Sequence, residues 1–397
     1  MMGKLRAALA AWFVAGLLAG ARGAEKPARL IVGFTAALDA DGRRDALESE
    51  GLQLVESIGP LNLAVAEAPR EGTRLAAMRV AAKPGVVHVE EDFEDNWLSQ
   101  ASLAATPLPG LREVMGGLPP FIKKDQTQGE MPWGVARLHA EDAWSRTQGE
   151  GVRVAVVDTG IDFDHPDLRP NYAGGYNAIS SGTDPRDDNG HGTHVAGTIG
   201  AARDGQGVVG VAPKASLFAV KVLDKDGKGY LTSIIKGLVW CADHGMQVAN
   251  MSMGSERSSL FMRMAVSYAR SHGVAIVAAA GNSSGAVNYP GAYDGVIAVS
   301  AMDSNGRLAG FSSRGKQVAF TAPGVDVLST TPGGGFQRWS GTSMASPHVA
   351  GLAALAVAQG AGSPDAVLAA LRSAASPVDG LKPEEQGSGL IDAGHLF

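Results

Sequence analysis

One cysteine, Cys241, stands in a chain of 397 residues. No intrachain disulfide can form, so a disulfide-stapled scaffold is excluded, although export is not. Charge is sparse: 19% of the residues are charged, the formal net charge is −6, and no basic tract occurs. That balance speaks against a nucleic-acid partner. Long apolar runs are missing too. The one notable stretch, Ala7 to Gly20, is shorter than a membrane span. Lys4 and Arg6 precede it and Ala21-Arg22-Gly23-Ala24 follow, the layout of a secretory signal peptide over residues 1–23. An uncleaved anchor is the alternative. No later segment approaches spanning length, so the mature chain is expected to have no membrane partner. Export of a cysteine-poor chain points to a bacterial protein, periplasmic or extracellular.

What is plentiful is glycine, 53 residues in a chain that is 45% hydrophobic. This suits a tightly turned α/β enzyme better than a disordered or fibrous chain, and the length allows more than one core. Within 24–98, RLIVGF, QLVESI, LNLAVAEA and VVHVEED read as strands, while DGRRDALESEG and EGTRLAAMRVAAKPG read as helices. The order β-α-β-β-α-β describes a small α+β, ferredoxin-like domain. Periodicity disappears over 99–130, which reads as a linker or arm with Pro107, Pro109, Pro119 and Pro120.

From 131 to 397 the character changes. Apolar β-branched runs at Val152–Val157, Ser216–Leu223, Gln247–Met251, Val274–Ala279, Val296–Ser300 and Val318–Thr321 alternate with helical stretches at Thr193–Ala201, Leu231–His244, Ser258–His272 and Thr342–Gln359. Such strands indicate a parallel sheet covered on both faces. No accessory domain is expected after GLIDAGHLF. Cys241, in the second of these helices, is expected to be a buried structural thiol. Pro347 and His348 are expected to pack.

Three stretches carry chemistry. Asp158 begins DTGID at the end of an apolar strand, where open α/β sheets place their sites. His191 begins HGTHVAGT and opens a helix behind Asp188-Asn189-Gly190, and His194 lies one turn on, so either can serve as a base. A metal pair is the weaker alternative, since no glutamate stands between them as in HExxH. Ser343 lies in GTSMASPHVAG, a glycine followed by a small-residue helix start, where a nucleophilic hydroxyl is exposed at a positive helix end. Asn282, at a Gly-Asn turn after a strand, can donate to a developing oxyanion together with the backbone N–H of Ser343.

The three blocks, in the order Asp, His, Ser, resemble the subtilisin-like serine proteases over nearly all of Pro132 to Leu390. The resemblance implies a three-layer α/β/α sandwich with a mostly parallel sheet, a serine endopeptidase, Asp158 as orienting acid, His191 as general base, Ser343 as nucleophile and Asn282 in the oxyanion hole. Protein substrates would add as a strand beside Asp226-Gly227-Lys228-Gly229 and Ser252-Met253-Gly254. Leu231 and Ile234 would line the pocket for the fourth residue before the cut. Met253, Ala279 and Gly281 would wall the first pocket above Asn288. No acid falls there, so broad cleavage favouring medium or large apolar residues, rather than strict basic specificity, is expected. A structural Ca²⁺ is implied at Asp167 with Ala202, Asp204, Gln206 and Val208; Gly129 falls where a glutamine ligand is usual, with Gln126 or Gln128 as substitutes.

The domain at 24–98 resembles the inhibitory propeptides of this family. Self-cleavage is expected after Leu98, or further along the 99–130 arm, to leave a monomeric enzyme. Two rivals remain. One is a catalytically silent binding or inhibitory module on the same fold. The other is a serine esterase, which would show G-x-S-x-G and the order Ser, Asp, His.

Overall fold

The computed structural model describes residues 27–68, 71–98 and 129–397. The expected leader at 1–23, nearly all of the 99–130 arm, and Gln126 and Gln128 lie outside the described residues. The chain divides into two units. One is built on the residues up to Glu94 with Tyr230–Thr232, the other on Asp95–Gly229 and Ser233–Phe397.

In the first unit, β1 (Ala28–Phe34), α1 (Ala40–Glu48), β2 (Gln53–Ile58), β3 (Leu63–Ala68), α2 (Thr73–Ala81) and β4 (Val86–Glu91) follow the order read from the sequence. They form an antiparallel sheet of order β2-β3-β1-β4. Asp39 caps α1 by accepting the Gly42 N–H at 2.8 Å. Leu30, Val32 and Phe34 alternate along β1 and meet Leu47 of α1 and Val80 of α2 in one core.

The second unit is built on seven parallel strands. These are β5 (Arg153–Asp158), β6 (Tyr172–Asn177), β7 (Ser216–Lys221), β8 (Val248–Met251), β9 (Ala275–Ala279), β10 (Ile297–Met302) and β11 (Val318–Pro323), in the order β11-β10-β9-β8-β5-β7-β6. Six of them were expected; β6, with the sequence YAGGYN, was not, because two glycines mask its alternation. The longer helices are α3 (His191–Gly200), α4 (Leu231–Asp243), α5 (Leu260–Ser271), α6 (Thr342–Ala358) and α7 (Pro364–Ser373). Val154 and Val156 of β5 join the core that holds Val195 of α3 and Val349 of α6. Val157, on the opposite face, lies against Gly237 of α4. The sheet is therefore covered on both sides, a three-layer α/β/α sandwich. Cys241 is fully buried and burial pushes its thiol up, so it is inert. No helix among the described residues is long and apolar enough to cross a membrane.

The strand order turns at the β5–β8 pair: the chain first builds toward β6 and then crosses to build toward β11. The C-terminal ends of β5 and β8 flank this switch point, the place where such sheets bind ligands.

Candidate active site

Asp158 is the last residue of β5 and is fully buried. Its carboxylate oxygens lie 2.8 and 3.0 Å from Nδ1 of His191, also fully buried, and Oδ1 accepts the Thr159 N–H at 2.7 Å. A ring nitrogen held against a carboxylate carries the proton, which leaves Nε2 with its lone pair. Nε2 has no hydrogen-bond partner among the described residues.

Helix α3 begins at His191, the residue expected to open it. The cause is the turn before it. Gly190 sits at φ +112°, and Asp187 collects the N–H groups of Asn189, Gly190 and Thr193 with the hydroxyls of Thr159 and Thr193. Thr159 in turn accepts the Gly192 N–H at 2.9 Å. Strand end and helix start approach so closely that a Cβ on Gly192 would stand 2.1 Å from the Gly160 carbonyl oxygen. Buried Lys221 adds a third tie, donating to the carbonyls of Thr159 and Leu223 and to Asp188. Asp187, Thr159 and Lys221 were missed from the sequence. The one available signal was an acid shortly before a helix start.

His194 takes a different course. Its ring stacks on Trp339 at 4.6 Å, and Nε2 bonds the carbonyls of Val327 and Gln337, each at 3.1 Å. Burial holds its pKa down to about 3, and that of buried His348 down to about 4. Among the described residues no cluster of metal-binding side chains forms around either. A consequence for stability follows by linkage. Unfolded histidines bind protons below about pH 6.5, whereas these two stay neutral until about pH 4 and about pH 3. Their contribution is full above pH 6.5 and is lost progressively as the pH falls toward those folded values. The Tm should therefore fall between pH 6.5 and 4.5, measured by calorimetry. A flat Tm over that window would contradict the assignment of both histidines as buried and neutral.

Ser343 is the second residue of α6, at the positive end of that helix. Its hydroxyl donates to the Ser252 carbonyl at 3.0 Å. Thr342 donates to Oδ1 of Asn282 twice, from its N–H at 2.8 Å and its hydroxyl at 2.9 Å. Because Oδ1 is committed to Thr342, the amide orientation of Asn282 is set. The Thr342 hydroxyl itself is oriented by the Gly281 N–H at 3.1 Å. Thr342 was not singled out from the sequence.

The two expected substrate-flanking segments are bridged by the chain itself. Trp97 donates its N–H to the Gly227 carbonyl at 3.0 Å, and its carbonyl accepts the Gly254 N–H at 2.9 Å. Its indole donates to the Gly229 carbonyl at 2.9 Å and is buried. Leu98 packs on Gly227, and Asp95 accepts the Ser255 hydroxyl at 2.7 Å. Lys228 is exposed, whereas Leu231, Ile234, Met253 and Ala279 are buried. A Cβ on either Gly254 or Gly281 would meet Asn288 at 2.9 Å, so those two glycines and Asn288 form one small group.

At the expected metal loop, Asp167 is buried, its Oδ2 accepts the Val208 N–H at 2.8 Å, and its carbonyl accepts the Ala202 N–H at 2.8 Å. Gly207, at φ +55°, lies so close that a Cβ there would stand 2.0 Å from Oδ2. Asp204 stabilises the loop by accepting the Gln206 N–H at 2.9 Å. Glu130 donates its N–H to the Gly207 carbonyl at 2.9 Å.

Comparison with known proteins gives a consistent pattern. The model of the subtilase family matches residues 149–389. A thermostable alkaline protease of Halalkalibacterium halodurans is 42% identical over 277 residues, 68% of this chain and 74% of that protein. Subtilisin BL of Lederbergia lenta is 46% identical over 57% of this chain and 83% of its own length. Subtilisin amylosacchariticus of Bacillus subtilis subsp. amylosacchariticus is 37% identical over 347 residues, 85% of this chain and 81% of that protein.

Proposed function

This chain belongs to the subtilase family and is a serine-type endopeptidase, and on that premise we propose that Ser343 is the nucleophile, His191 the general base and Asp158 its orienting acid. The observation that carries the reading is the buried His191–Asp158 pair, with Nδ1 on both carboxylate oxygens and Nε2 without a partner among the described residues. Nε2 would take the Ser343 proton as Oγ attacks the scissile carbonyl, and would return it to the leaving amine while the acyl group rests on Ser343. The Asn282 amide, oriented by Thr342, and the Ser343 N–H would stabilise the oxyanion. In the resting chain Ser343 donates to Ser252 instead, and such catalytic hydrogen bonds often tighten only with substrate bound. A fluorophosphonate followed by peptide mapping should place one adduct on Ser343. An adduct elsewhere, or none on folded protein that cleaves casein, would sink the assignment.

We further propose that residues 24–98 are an inhibitory propeptide, that the chain is exported, and that it processes itself near Leu98. The backbone of Trp97, held between Gly227 and Gly254, supports this, since a product strand would occupy that place. The walls proposed at Met253, Ala279 and Gly281 above Asn288 support broad cleavage favouring apolar residues.

A structural calcium fits the loop around Asp167: a buried carboxylate beneath a tight glycine turn suits a hard cation with oxygen ligands. Asp167 and Asp204, with the carbonyls of Ala202, Gln206 and Val208, would hold it. At a hundredfold excess over Kd, calcium would add about 2.7 kcal/mol, or about 5–10 °C in Tm for a domain of this size. EDTA should remove that increment, calcium should restore it, and Asp167→Asn should erase the difference. An unchanged Tm in EDTA would refute the site.

A further inference from the structure

We propose that Asn250 is a positioning residue for Ser343, acting through Ser252 to replace a hydrogen bond that the nucleophile helix cannot make. This rests on the reading of Ser343 as nucleophile. In an α-helix the carbonyl of residue 343 takes the N–H of residue 347. Here residue 347 is Pro347, which lies inside α6 and has no N–H to give. Its ring also crowds the carbonyl four residues back, which is that of Ser343. The carbonyl of buried Ser343, in the first turn of the helix, would thus lack its regular donor.

The donor comes instead from Ser252, the residue that follows β8. Ser252 Oγ donates to the Ser343 carbonyl at 2.7 Å. A serine hydroxyl has one proton and rotates freely unless its lone pairs are engaged. Asn250, the penultimate residue of β8, engages one by donating from Nδ2 to Ser252 Oγ at 2.9 Å. The Asn250 amide is itself oriented, because its Oδ1 accepts the Ser346 hydroxyl at 2.7 Å. Ser346, Asn250, Ser252 and the Ser343 carbonyl therefore form one directed chain, which starts and ends on α6. Asn250, Ser252 and Ser346 are all fully buried, and a buried chain of this kind is rigid only while every member is satisfied. It fixes the peptide plane that follows Ser343. It also ties the nucleophile to the Ser252-Met253-Gly254 segment, so the attacking hydroxyl and the substrate-binding strand keep a fixed relation.

The test compares the parent with Asn250→Ala and Ser252→Ala, two variants that break the chain at different links. Two quantities are read: the rate of Ser343 sulfonylation by phenylmethylsulfonyl fluoride, and kcat and KM on a peptide p-nitroanilide. Both variants should lose about tenfold or more in sulfonylation and in kcat, with KM held within threefold. Adding Pro347→Ala to Asn250→Ala returns an N–H at position 347 and should recover at least threefold of the lost rate. A purely structural role for Asn250 predicts no such rescue. Folded variants with kcat within twofold of the parent, a loss carried by KM, or no rescue would overturn the proposal. Absence of label on Ser343 in the parent would sink the nucleophile assignment as well, which separates the two failures.

Discussion

Ser343→Ala should leave the chain at full length and should abolish peptide hydrolysis. The expected loss in turnover is about 10⁶-fold, a scale that comes from subtilisin itself rather than from this geometry. The reason is local. The substitution removes one hydroxyl at the start of α6 and leaves the surrounding supports in place. Thr342 still holds Asn282, Asn250 still orients Ser252, and His191 still pairs with Asp158. Folding should therefore survive while nucleophilic attack cannot occur. Intact mass and N-terminal sequencing of both proteins, purified under secretion conditions, check this. The parent should lose its first domain with a new N-terminus after Leu98 or within 99–130, and the variant should not. If both are processed alike, a second protease makes the cut. If both stay whole, the silent-module reading gains, because a cleft still occupied around Trp97 would account for an intact catalytic group without turnover.

Much of this site was legible in the sequence because its parts sit in dense local motifs. DTGID, HGTH and GTSMASPHVAG each join an unusual backbone to a side chain of the proposed triad, so position and proposed chemistry are read from the same few residues. The sheet was legible for a related reason: strands buried on both faces read as unbroken apolar runs. The exceptions have physical causes. Strand β6 was missed because Gly174 and Gly175 interrupt its pattern, and a Cβ on Gly175 would collide with the Ala219 carbonyl in the neighbouring strand at 2.1 Å. The opening of α3 at His191 was legible, but the Asp187 network that forces it is tertiary and was not. Lys221, Asn250 and Thr342 escaped notice altogether. Each is a common residue type in an ordinary strand or helix context, and its role arises only from what the fold brings against it.

Asp158→Asn should lower kcat on the order of 10⁴-fold near neutral pH, with KM for a peptide substrate almost unchanged. The scale is that of aspartate exchanges in subtilisin and on an unrelated triad fold; its direction follows from the hydrogen bonds seen here. Both oxygens of Asp158 lie within 3.0 Å of His191 Nδ1, and Oδ1 also accepts the Thr159 N–H. An asparagine would keep its oxygen on Thr159, as the acceptor that this N–H requires, and would turn its NH₂ toward Nδ1. The imidazole would answer by moving its proton to Nε2. A protonated Nε2 cannot receive the Ser343 proton, and the imidazolium formed in the transition state would lose its counter-charge. The proposed substrate contacts are on Gly227, Gly254 and the first-pocket walls, whereas the Asp158 carboxylate is engaged by His191 and Thr159, so ground-state binding should persist. The separation of kcat from KM distinguishes this mechanism from general damage to the cleft, which would raise KM as well. A folded Asp158→Asn protein within tenfold of the parent in kcat would mean that the tautomer of His191 is set by something other than this carboxylate.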